Sequence, residues 1–369
     1  MNILLSNSTD LFGGGEDYVF ILARYLKKRG HAVWVSALPD HLLLRKCEEA
    51  GIETVSIEYK GMMRVGKVGS ELRKHLRAKK IDVIHSNANY DRTCAAVAVI
   101  GTRTRHVASV HSAHSIQYNV THWIRNRWGI DHFIADAEAV KEVLVRNDGI
   151  APAHISVVPI GVENDTEEFQ RTARIRTRSE LGVRESTVVI GNVARLVPFK
   201  GHRYLLETIA VVVRNHLDIL FPIVGDGELL DRLRAQARDL CIEPYVRFLG
   251  FRDDLNMLYP AFDIYCHSSL ELAAEAFPLA ILRALAAGLP VVCTRVGGIG
   301  LMVEDGTSGY LTKPEDPTAL AAALMQVIGD SALRTSMGNA SFALFQRKFH
   351  ASAMAESVEA IYRKECARQ

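Results

Sequence analysis

Two cations follow a short apolar run in the second half of the chain. Residues 188–192 have the composition of a buried strand, and Arg195 and Lys200 come soon after it, five positions apart. A guanidinium can bind two phosphate oxygens at once, whereas an ammonium acts as a point charge. On a loop that opens a helix, both cations could therefore neutralise a diphosphate. A solvated surface pair is the alternative that these residue types leave open.

Glycines recur where other apolar runs end, and a glycine lets the backbone approach a ligand closely. After the first run they precede a helical pattern, so that helix amides could face an anion. The spacing does not match the G-x-G-x-x-G dinucleotide fingerprint. A tight turn, which also needs glycine, is the alternative at each position. The candidate positions are Gly13, Gly14, Gly15, Gly225 and Gly227, with Phe248 and Leu249 ending the run before Gly250.

A histidine and a glutamate complete the candidate chemistry. His111 ends the apolar run 106–111, where it could hydrogen-bond a sugar hydroxyl or a departing phosphate. Glu275 stands just before a helical pattern bounded by Pro278 and Gly288, which suit its first turn and the position after its last. A core histidine and a helix-capping carboxylate are the structural alternatives. No paired histidines at helical spacing and no D-x-D sequence occur, so no metal site is predicted.

Basic and aromatic residues concentrate in two segments of the first half. Residues 60–80 carry eight basic residues and one acid, which would suit anionic phospholipid, at about 1 kcal/mol for each basic residue near the surface. Residues 123–128 contain two tryptophans and two arginines, a combination typical of a membrane interface. The alternatives are a solvated helix face and core packing of the tryptophans. The basic residues of the first segment are Lys60, Arg64, Lys67, Arg73, Lys74, Arg77, Lys79 and Lys80.

Alternating strands and helices must position these residues. Short apolar runs alternate with helical patterns along the whole chain, which is typical of parallel sheets covered by helices on both faces. We therefore expect an α/β protein with two Rossmann-like domains that face an interdomain cleft, and ligands beyond the carboxyl ends of the strands.

The polar stretch 163–180 is interpreted as a linker between a domain of residues 1–165 and a domain of residues 166–348. A first helix over 18–29, ended by Gly30, and a last helix over 349–369 are predicted. The expected strands are 3–6, 32–36, 83–86, 106–111 and 132–135, then 188–192, 219–224, 246–249, 264–267 and 290–294.

Composition and charge exclude several classes of function. The 369 residues are 48% hydrophobic and carry a net charge of +2, so a folded chain with no electrostatic case for nucleic acid is expected. Six scattered cysteines without a C-x-x-C pair favour a reducing compartment. Neither a signal-peptide pattern nor a run of about 20 apolar residues is present, so a cytoplasmic location is expected.

In their order along nearly the whole chain, these motifs resemble the retaining glycosyltransferases of family four, which have the GT-B fold. Residues 13–16 are similar to the family's G-G-x-E turn, and residues 192–201 to its G-R-L-x-x-x-K-G segment. Residues 224–227 and 246–250 fall where the family has V-G-x-G and V-x-F-x-G. The remaining matches are residues 110–111 with the strand-end histidine, 275–282 with the first half of E-x7-E, and 288–292, 297–299 and 304–309 at the familiar distances.

The resemblance implies a metal-independent hexosyltransferase that needs no cofactor. It would move a sugar from a nucleotide diphosphate, UDP or GDP, to a glycan or lipid-linked acceptor with retention of configuration. Lipopolysaccharide or surface polysaccharide assembly is implied, in the cytoplasm or on the inner face of the plasma membrane. The first domain, joined by helix 349–369, would bind the acceptor, and the second domain would bind the donor.

The resemblance also implies roles for individual residues. Arg195 and Lys200 would hold the diphosphate, Glu275 would meet the donor sugar, and His111 would lie beside that sugar. The implied donor-binding residues are Gly13, Gly14, Gly15, Gly225, Gly227, Phe248, Leu249, Phe277, Pro278, Leu279 and Arg283.

Two positions depart from the family pattern. The second acid of E-x7-E is Arg283, and the acid expected after Gly297 and Gly298 is replaced around Gly300 and Leu301. An arginine can donate to ribose hydroxyls but cannot accept from them, although an acidic donor could use its charge. A non-catalytic nucleotide- or sugar-binding relative is therefore the main alternative. A nucleotide-sugar epimerase and, last, a nicotinamide oxidoreductase are the others.

Overall fold

The computed structural model describes residues 1–10, 13–59, 61, 64–112, 114–117, 119–215, 218–270 and 277–368. The chain forms two compact units, one of Met1–Val162 with Phe349–Gln369 and one of Glu163–Lys348. The division follows Val162, whereas the sequence placed it after residue 165.

The described residues of the N-terminal unit form a seven-stranded parallel sheet. Its strands are β1 (Asn2–Ser6), β2 (Ala32–Ala37), β3 (Glu53–Ser56), β4 (Val83–Ser86), β5 (Arg105–Val110), β6 (His132–Ala135) and β7 (Ile155–Val157). Their order across the sheet is β3-β2-β1-β4-β5-β6-β7. The chain runs outward from β1 to β3, returns beside β1 and runs outward again, which is the Rossmann-like order.

Helices join the strands of this unit. They are α1 (Gly14–Lys28), α2 (Leu42–Glu49), α3 (Val65–Ala78), α4 (Asn89–Val99), α5 (Val120–Trp128) and α6 (Glu138–Arg146). Connections between parallel strands are right-handed, so α1 and α2 lie on one face of the sheet and α3 to α6 on the other.

The described residues of the C-terminal unit repeat this plan with a six-stranded parallel sheet. Its strands are β8 (Val188–Val193), β9 (Ile219–Val224), β10 (Val246–Gly250), β11 (Ile264–His267), β12 (Val291–Thr294) and β13 (Gly309–Thr312), in the order β10-β9-β8-β11-β12-β13. Its helices are α7 (Glu167–Leu181), α8 (His202–Val212), α9 (Leu230–Asp239), α10 (Leu255–Leu258), α11 (Leu279–Ala286), α12 (Pro317–Gly329) and α13 (Ser331–Lys348).

The last helix, α14 (Ala351–Ala367), belongs to the N-terminal unit and packs against α1. Gly161 permits the return of the chain, because a Cβ at this position would lie 2.7 Å from the Cα of Ala351. The two segments are joined by backbone hydrogen bonds from Val162 N to Phe349 O, at 3.0 Å, and from Ala351 N to Val162 O, at 2.9 Å.

Apolar side chains at helical spacing attach the helices to the sheets. Val68, Leu72 and Leu76 of α3 share a buried cluster with Leu4 of β1 and Ile84 of β4. Burial of such surface, at about 25 cal/mol per Å², is the main favourable term in folding. The same pattern of burial holds the second unit together.

The prediction of a linker over 163–180 is wrong for most of that stretch, because α7 occupies it from Glu167. Thr166 caps the helix by accepting a hydrogen bond from Phe169 N at 3.3 Å, and Gly182, at φ 66°, ends it. Arg178 is 3% exposed and donates to the Asp263 carboxylate at 3.0 Å and to backbone carbonyls. Its charge therefore serves packing within the unit.

Candidate functional site

The loop 194–201 joins β8 to α8 and carries both predicted phosphate-binding cations. They lie beside one aromatic ring: Arg195 Cζ is 5.7 Å and Lys200 Nζ is 5.6 Å from the ring centroid of Phe199. A cation within about 6 Å of such a ring is attracted to its face. Arg195 is exposed and Lys200 is half-buried. The structure therefore brings the two charges together around Phe199, just beyond the carboxyl end of β8.

The turn after β9 supports one side of this loop. A Cβ at Gly225 would lie 2.0 Å from Ala194 O, and one at Gly227 would lie 2.5 Å from Leu196 O. Leu196 N also donates to Asp226 O at 2.9 Å. These contacts require glycine at both positions because backbone meets backbone there. Direct contact of the two glycines with a nucleotide-sugar donor stays a prediction.

The segment after β11 supports the other side of the loop. Gly201 adopts φ 66°, and a Cβ there would lie 2.0 Å from Ser268 O. Ser268 Oγ donates to Lys200 O at 3.0 Å, and Leu270 N donates to Phe199 O at 2.8 Å. The backbone of the cationic loop is thus fixed from both sides while the Arg195 side chain stays exposed.

His202, the first residue of α8, is a buried neighbour of the loop that the sequence did not single out. Its Nε2 lies 3.1 Å from Asn192 Oδ1, and Asn192 Nδ2 donates to Cys266 O at 2.9 Å. Burial, and then the charge of Lys200, lower the pKa of His202 to about 4. The imidazole is therefore neutral near pH 7 and adds no third charge to the loop.

His111 lies directly after β5 in the N-terminal unit, one residue beyond the end of the strand. Its Nδ1 is 3.5 Å from Asp136 Oδ2, and its ring meets that of Tyr18 edge-on, with centroids 4.6 Å apart. Both ring nitrogens of His111 are buried, and neither has a hydrogen-bond partner among the described residues. The Asp136 carboxylate faces Nδ1, so Nε2 is the candidate atom for a contact with a ligand.

Asp136 was not found by sequence reasoning, although a signal for it exists. It follows β6 as His111 follows β5, and these strands are neighbours in the sheet. The carboxyl ends of neighbouring parallel strands meet at one edge, so the residues just beyond them come close together. Asp136 is 3% exposed, and its Oδ2 faces His111 Nδ1.

A buried polar network lies behind His111. Tyr18 OH is 3.2 Å from Ser109 Oγ, Ser109 Oγ is 2.7 Å from His85 Nε2, and His85 Nδ1 is 2.6 Å from the hydroxyl of Tyr362. Burial lowers the pKa of His85 and raises the pKa of both tyrosines, so every member is neutral near pH 7. The network connects α14, through β4 and β5, to the ring that packs against His111.

The glycine turn before α1 is held by Glu16, which is 4% exposed. Gly13 N donates to Glu16 Oε2 at 2.7 Å, and Asn7 Nδ2 donates to Glu16 Oε1 at 2.9 Å. Gly13 is extended, at φ −156°, and a Cβ on Gly15 would meet no heavy atom within 4 Å. The glutamate therefore fastens the turn, and phosphate contacts by Gly13, Gly14 and Gly15 stay a prediction.

Arg283 lies in the last turn of α11 and lines a cavity of about 30 Å³ together with Asp165 and Tyr259. Burial raises the pKa of Asp165, and the charge of Arg283 opposes that effect. The cavity has room for one or two water molecules but not for a ribose. A contact of Arg283 with the nucleotide-sugar donor stays a prediction.

The other candidates on the donor side are placed as follows. Phe248 and Leu249 are half-buried in β10, Phe277 and Pro278 are buried before α11, and Leu279 begins that helix. Glu275, which is central to the sequence prediction, lies outside the described residues. Across the described ranges no group of three or more metal-ligating side chains occurs.

Five of the eight basic residues in 60–80 are exposed. Arg73 instead donates to Ala98 O at 3.0 Å, Lys79 lies 3.5 Å from Glu53, and Lys60 lies outside the described residues. The exposed residues are Arg64, Lys67, Lys74, Arg77 and Lys80.

The two tryptophans of α5 do not pack in the core, so that alternative is wrong. Trp123 is 44% and Trp128 is 68% exposed, and their rings meet edge-on with centroids 5.2 Å apart. Val120 and Ile124 of the same helix are also exposed. None of the described helices is long and apolar enough to cross a bilayer.

Two family models match the chain, one for each unit. Glycosyltransferase Family 4 matches residues 12–166, and Glycosyl transferases group 1 matches residues 173–343. Together they span both units and the cationic loop.

Two curated relatives and one solved structure show the same likeness. The chain is 37% identical to a D-inositol 3-phosphate glycosyltransferase of Corynebacterium kroppenstedtii over 56% of its own length and 48% of that protein. It is 28% identical to a UDP-Gal:alpha-D-GlcNAc-diphosphoundecaprenol alpha-1,3-galactosyltransferase of Escherichia coli over 73% of its own length and 72% of that protein. The first match therefore spans about half of the relative's length.

The structure is similar to that of Anabaena HepE in complex with UDP-glucose, with a TM-score of 0.83 and 23% identity over 99% of this chain and 100% of that one. At this identity the likeness shows the fold alone. Together with the two Rossmann-like sheets, it confirms the predicted GT-B fold.

Proposed function

We propose that this chain, which belongs to the glycosyltransferases of family four, transfers a sugar from a nucleotide-diphosphate sugar to a glycan or lipid-linked acceptor. The observation that carries the proposal is the cationic loop 194–201. Its backbone is fixed on both sides by contacts that only glycine allows, while Arg195 and Lys200 lie around Phe199.

The two cations would stabilise the departing nucleoside diphosphate. Charge develops on that leaving group as the bond to the sugar breaks, and charges fixed in advance stabilise it without reorganisation. A forked guanidinium and an ammonium together can balance the charge that a divalent metal ion balances in other transferases. We therefore propose transfer without a metal ion.

Transfer with retention of configuration is the second part of the proposal. The acceptor oxygen would attack the anomeric carbon on the face from which the diphosphate leaves, and its proton would pass to the departing phosphate oxygen. His111, oriented by Asp136 and Tyr18, would contact the sugar through Nε2. Glu275 would orient the sugar hydroxyls, as the family resemblance implies.

The first donors to test are uridine diphosphate sugars. The Anabaena structure is described as a complex with UDP-glucose, and the Escherichia coli relative is named as a UDP-Gal transferase. Guanosine diphosphate sugars follow, because nothing in the described site distinguishes the two bases.

We propose that the acceptor is presented at an anionic membrane surface, in surface polysaccharide or lipopolysaccharide assembly. The exposed cations of 64–80 and the exposed apolar residues of α5 support this proposal. Both α3 and α5 contact α4 and lie on one face of the N-terminal sheet. The name of the Escherichia coli relative includes a lipid-linked diphosphate acceptor.

Nucleotide binding tests the proposal directly. Thermal unfolding is measured with uridine, guanosine, adenosine and thymidine diphosphates in the presence of a chelator. Saturation at 100 times the dissociation constant adds about 2.7 kcal/mol, which raises the melting temperature by several degrees. Arg195→Gln and Lys200→Gln are each expected to weaken the preferred nucleotide at least about tenfold.

Arg203→Gln is the matched control, because Arg203 is exposed on the adjoining helix and pairs with Glu207 at 3.1 Å. Equal losses in all three variants would contradict a specific diphosphate site. So would stabilisation that appears only when the chelator is replaced by a divalent metal.

A non-catalytic nucleotide-binding relative is the second candidate, favoured by Arg283 at the position of the family's second acid. Sugar transfer is compared for the natural chain and for Arg283→Glu. Transfer by the natural chain excludes this candidate. Nucleotide binding without transfer, followed by a large gain in Arg283→Glu, would establish it.

A further inference from the structure

A cavity of about 300 Å³ lies within the N-terminal unit, between α5, the start of β6 and the segment 148–154 before β7. Most of its lining comes before the strands: Ile130 precedes β6, and Gly149 and His154 precede β7. His111 and Asp136 instead follow β5 and β6, so the cavity lies toward the opposite edge of the sheet. Its size is at the lower end of the range for small-molecule sites.

Two polar atoms of the lining have no hydrogen-bond partner among the described residues. Asn126 is 6% exposed, and its Nδ2 is buried without a hydrogen-bond partner in the described ranges. Gln117 Oε1 is also buried and has no partner there. Asn126 Oδ1 accepts from Arg125 Nε at 2.9 Å, which fixes the orientation of the amide. A buried donor without a partner costs about 1 to 3 kcal/mol. The lining is therefore equipped to bind a polar ligand.

His154 adds an acceptor and Arg127 adds donors. His154 Nδ1 lies 3.1 Å from Asp131 O, and since a carbonyl only accepts, Nδ1 carries the proton and neutral His154 offers Nε2 as an acceptor. Arg127 is exposed. The lining thus presents donors and acceptors side by side, which matches a ligand whose groups do both.

The charges of the lining cancel. Arg127 contributes one positive charge and Asp148 one negative charge. Asp148 is 4% exposed and holds the loop after β5 by accepting hydrogen bonds from Ser115 Oγ and, at 3.1 Å, from Ile116 N. A phosphate would have to approach this carboxylate, so a neutral ligand suits the cavity better than an anion.

Trp123 gives the cavity an aromatic wall beside these polar groups. A pyranose ring has the matching chemistry, with an apolar face of C–H groups and a rim of hydroxyls, each of which can donate and accept. We propose that this cavity binds a neutral pyranose unit of a glycan, at a place separate from the donor site described above. The proposal does not depend on the transfer reaction.

Intrinsic fluorescence tests this proposal, because the chain has three tryptophans and Trp34 is only 9% exposed. The full chain, without nucleotide, is titrated with glucose, galactose, mannose, N-acetylglucosamine and glucose 1-phosphate, and calorimetry is run in parallel. Saturable binding of at least one neutral sugar is expected. Trp123→Phe should remove most of the fluorescence change, and Asn126→Asp should weaken binding about tenfold.

Ile124→Ala is the matched control, because Ile124 is exposed on the same helix, does not line the cavity and leaves all three tryptophans in place. The double variant Arg195→Gln with Lys200→Gln should bind the neutral sugar as the natural chain does, which separates this cavity from the proposed donor site. No saturable binding by either method would overturn the proposal. Binding that is unchanged in Asn126→Asp, or more than tenfold tighter for glucose 1-phosphate, would overturn it as well.

Discussion

The cationic loop of the C-terminal unit and the surroundings of His111 in the N-terminal unit are held in place by different means. The loop 194–201 is fixed by backbone packed on backbone, at Gly201, Gly225 and Gly227. His111 is placed by side chains, since Tyr18 packs against it within a buried hydrogen-bond network. We therefore expect an added methyl group to destabilise the cationic loop. Removal of a single polar atom should destabilise the surroundings of His111.

Gly201→Ala should have the largest effect on stability. A Cβ at this position would lie 2.0 Å from Ser268 O, and φ is 66°. Forced contact and left-handed backbone strain together should lower the free energy of unfolding by about 3 to 4 kcal/mol, as measured by urea denaturation. Nucleotide stabilisation should fall with it, because the neighbouring Lys200 must move.

Gly182→Ala measures the cost of left-handed backbone strain without a close contact of the added Cβ. Gly182 has the same φ of 66° and lies in the same unit, but a Cβ there would meet no heavy atom within 4 Å. Its cost should be about 1 kcal/mol. Equal costs in the two variants would show that close backbone contact does not fix the cationic loop.

The same contrast explains which elements the sequence could predict. Residues 83–86, 132–135, 219–224 and 264–267 were predicted as strands and are strands with those bounds. Buried parallel strands are continuous apolar runs, so their pattern is local and strong. The first helix begins at Gly14, four residues before the predicted start at 18, because capping by the Gly13–Glu16 turn extends it.

The roles of Arg178 and Asp136 could not be predicted from the sequence, because they depend on contacts between distant segments. Two partners of Arg178, the Asp263 carboxylate and Ala261 O, lie more than 80 residues further along the chain, so the sequence alone favours a solvated linker charge at this position. Asp136 meets His111 only because β5 and β6 are neighbours in the sheet. In the cationic loop, by contrast, Arg195 and Lys200 are close in sequence, so their spacing alone predicts that the two charges lie near each other.

Tyr362→Phe tests the side-chain network with a smaller change. The substitution removes the hydroxyl that lies 2.6 Å from His85 Nδ1, which leaves a buried ring nitrogen without a partner. The free energy of unfolding should fall by about 2 kcal/mol in urea denaturation. Tyr245→Phe is the control, because Tyr245 is half-buried and no hydrogen bond of its hydroxyl is present in the described structure. A loss no larger than in the control would mean that the network does not stabilise the surroundings of His111.

The pH dependence of stability gives a change per pH unit that is smaller than the loss expected for Tyr362→Phe, and it separates the two regions by unit. Burial lowers the pKa of His106 from 6.5 to about 4, and its Nδ1 donates to Gly129 O at 2.6 Å. The unfolded chain binds a proton below pH 6.5 that the folded chain does not bind, so this stabilisation is complete above 6.5 and is lost as pH falls toward 4. His106→Asn should reduce the slope of unfolding free energy against pH in that window by up to about 1.4 kcal/mol per pH unit.

The N-terminal unit should be the more sensitive to acid. Burial lowers the pKa of five histidines in that unit, His31, His85, His106, His122 and His132, and it lowers the pKa of His202 in the C-terminal unit. Burial raises the pKa of Asp91, which changes stability with pH in the opposite direction, but Asp91 is one group against five. Because all three tryptophans belong to the N-terminal unit, their fluorescence should report unfolding at a higher pH than protease cleavage within 163–348 does. A slope that His106→Asn leaves unchanged would show that neutral buried imidazoles do not control the acid limit.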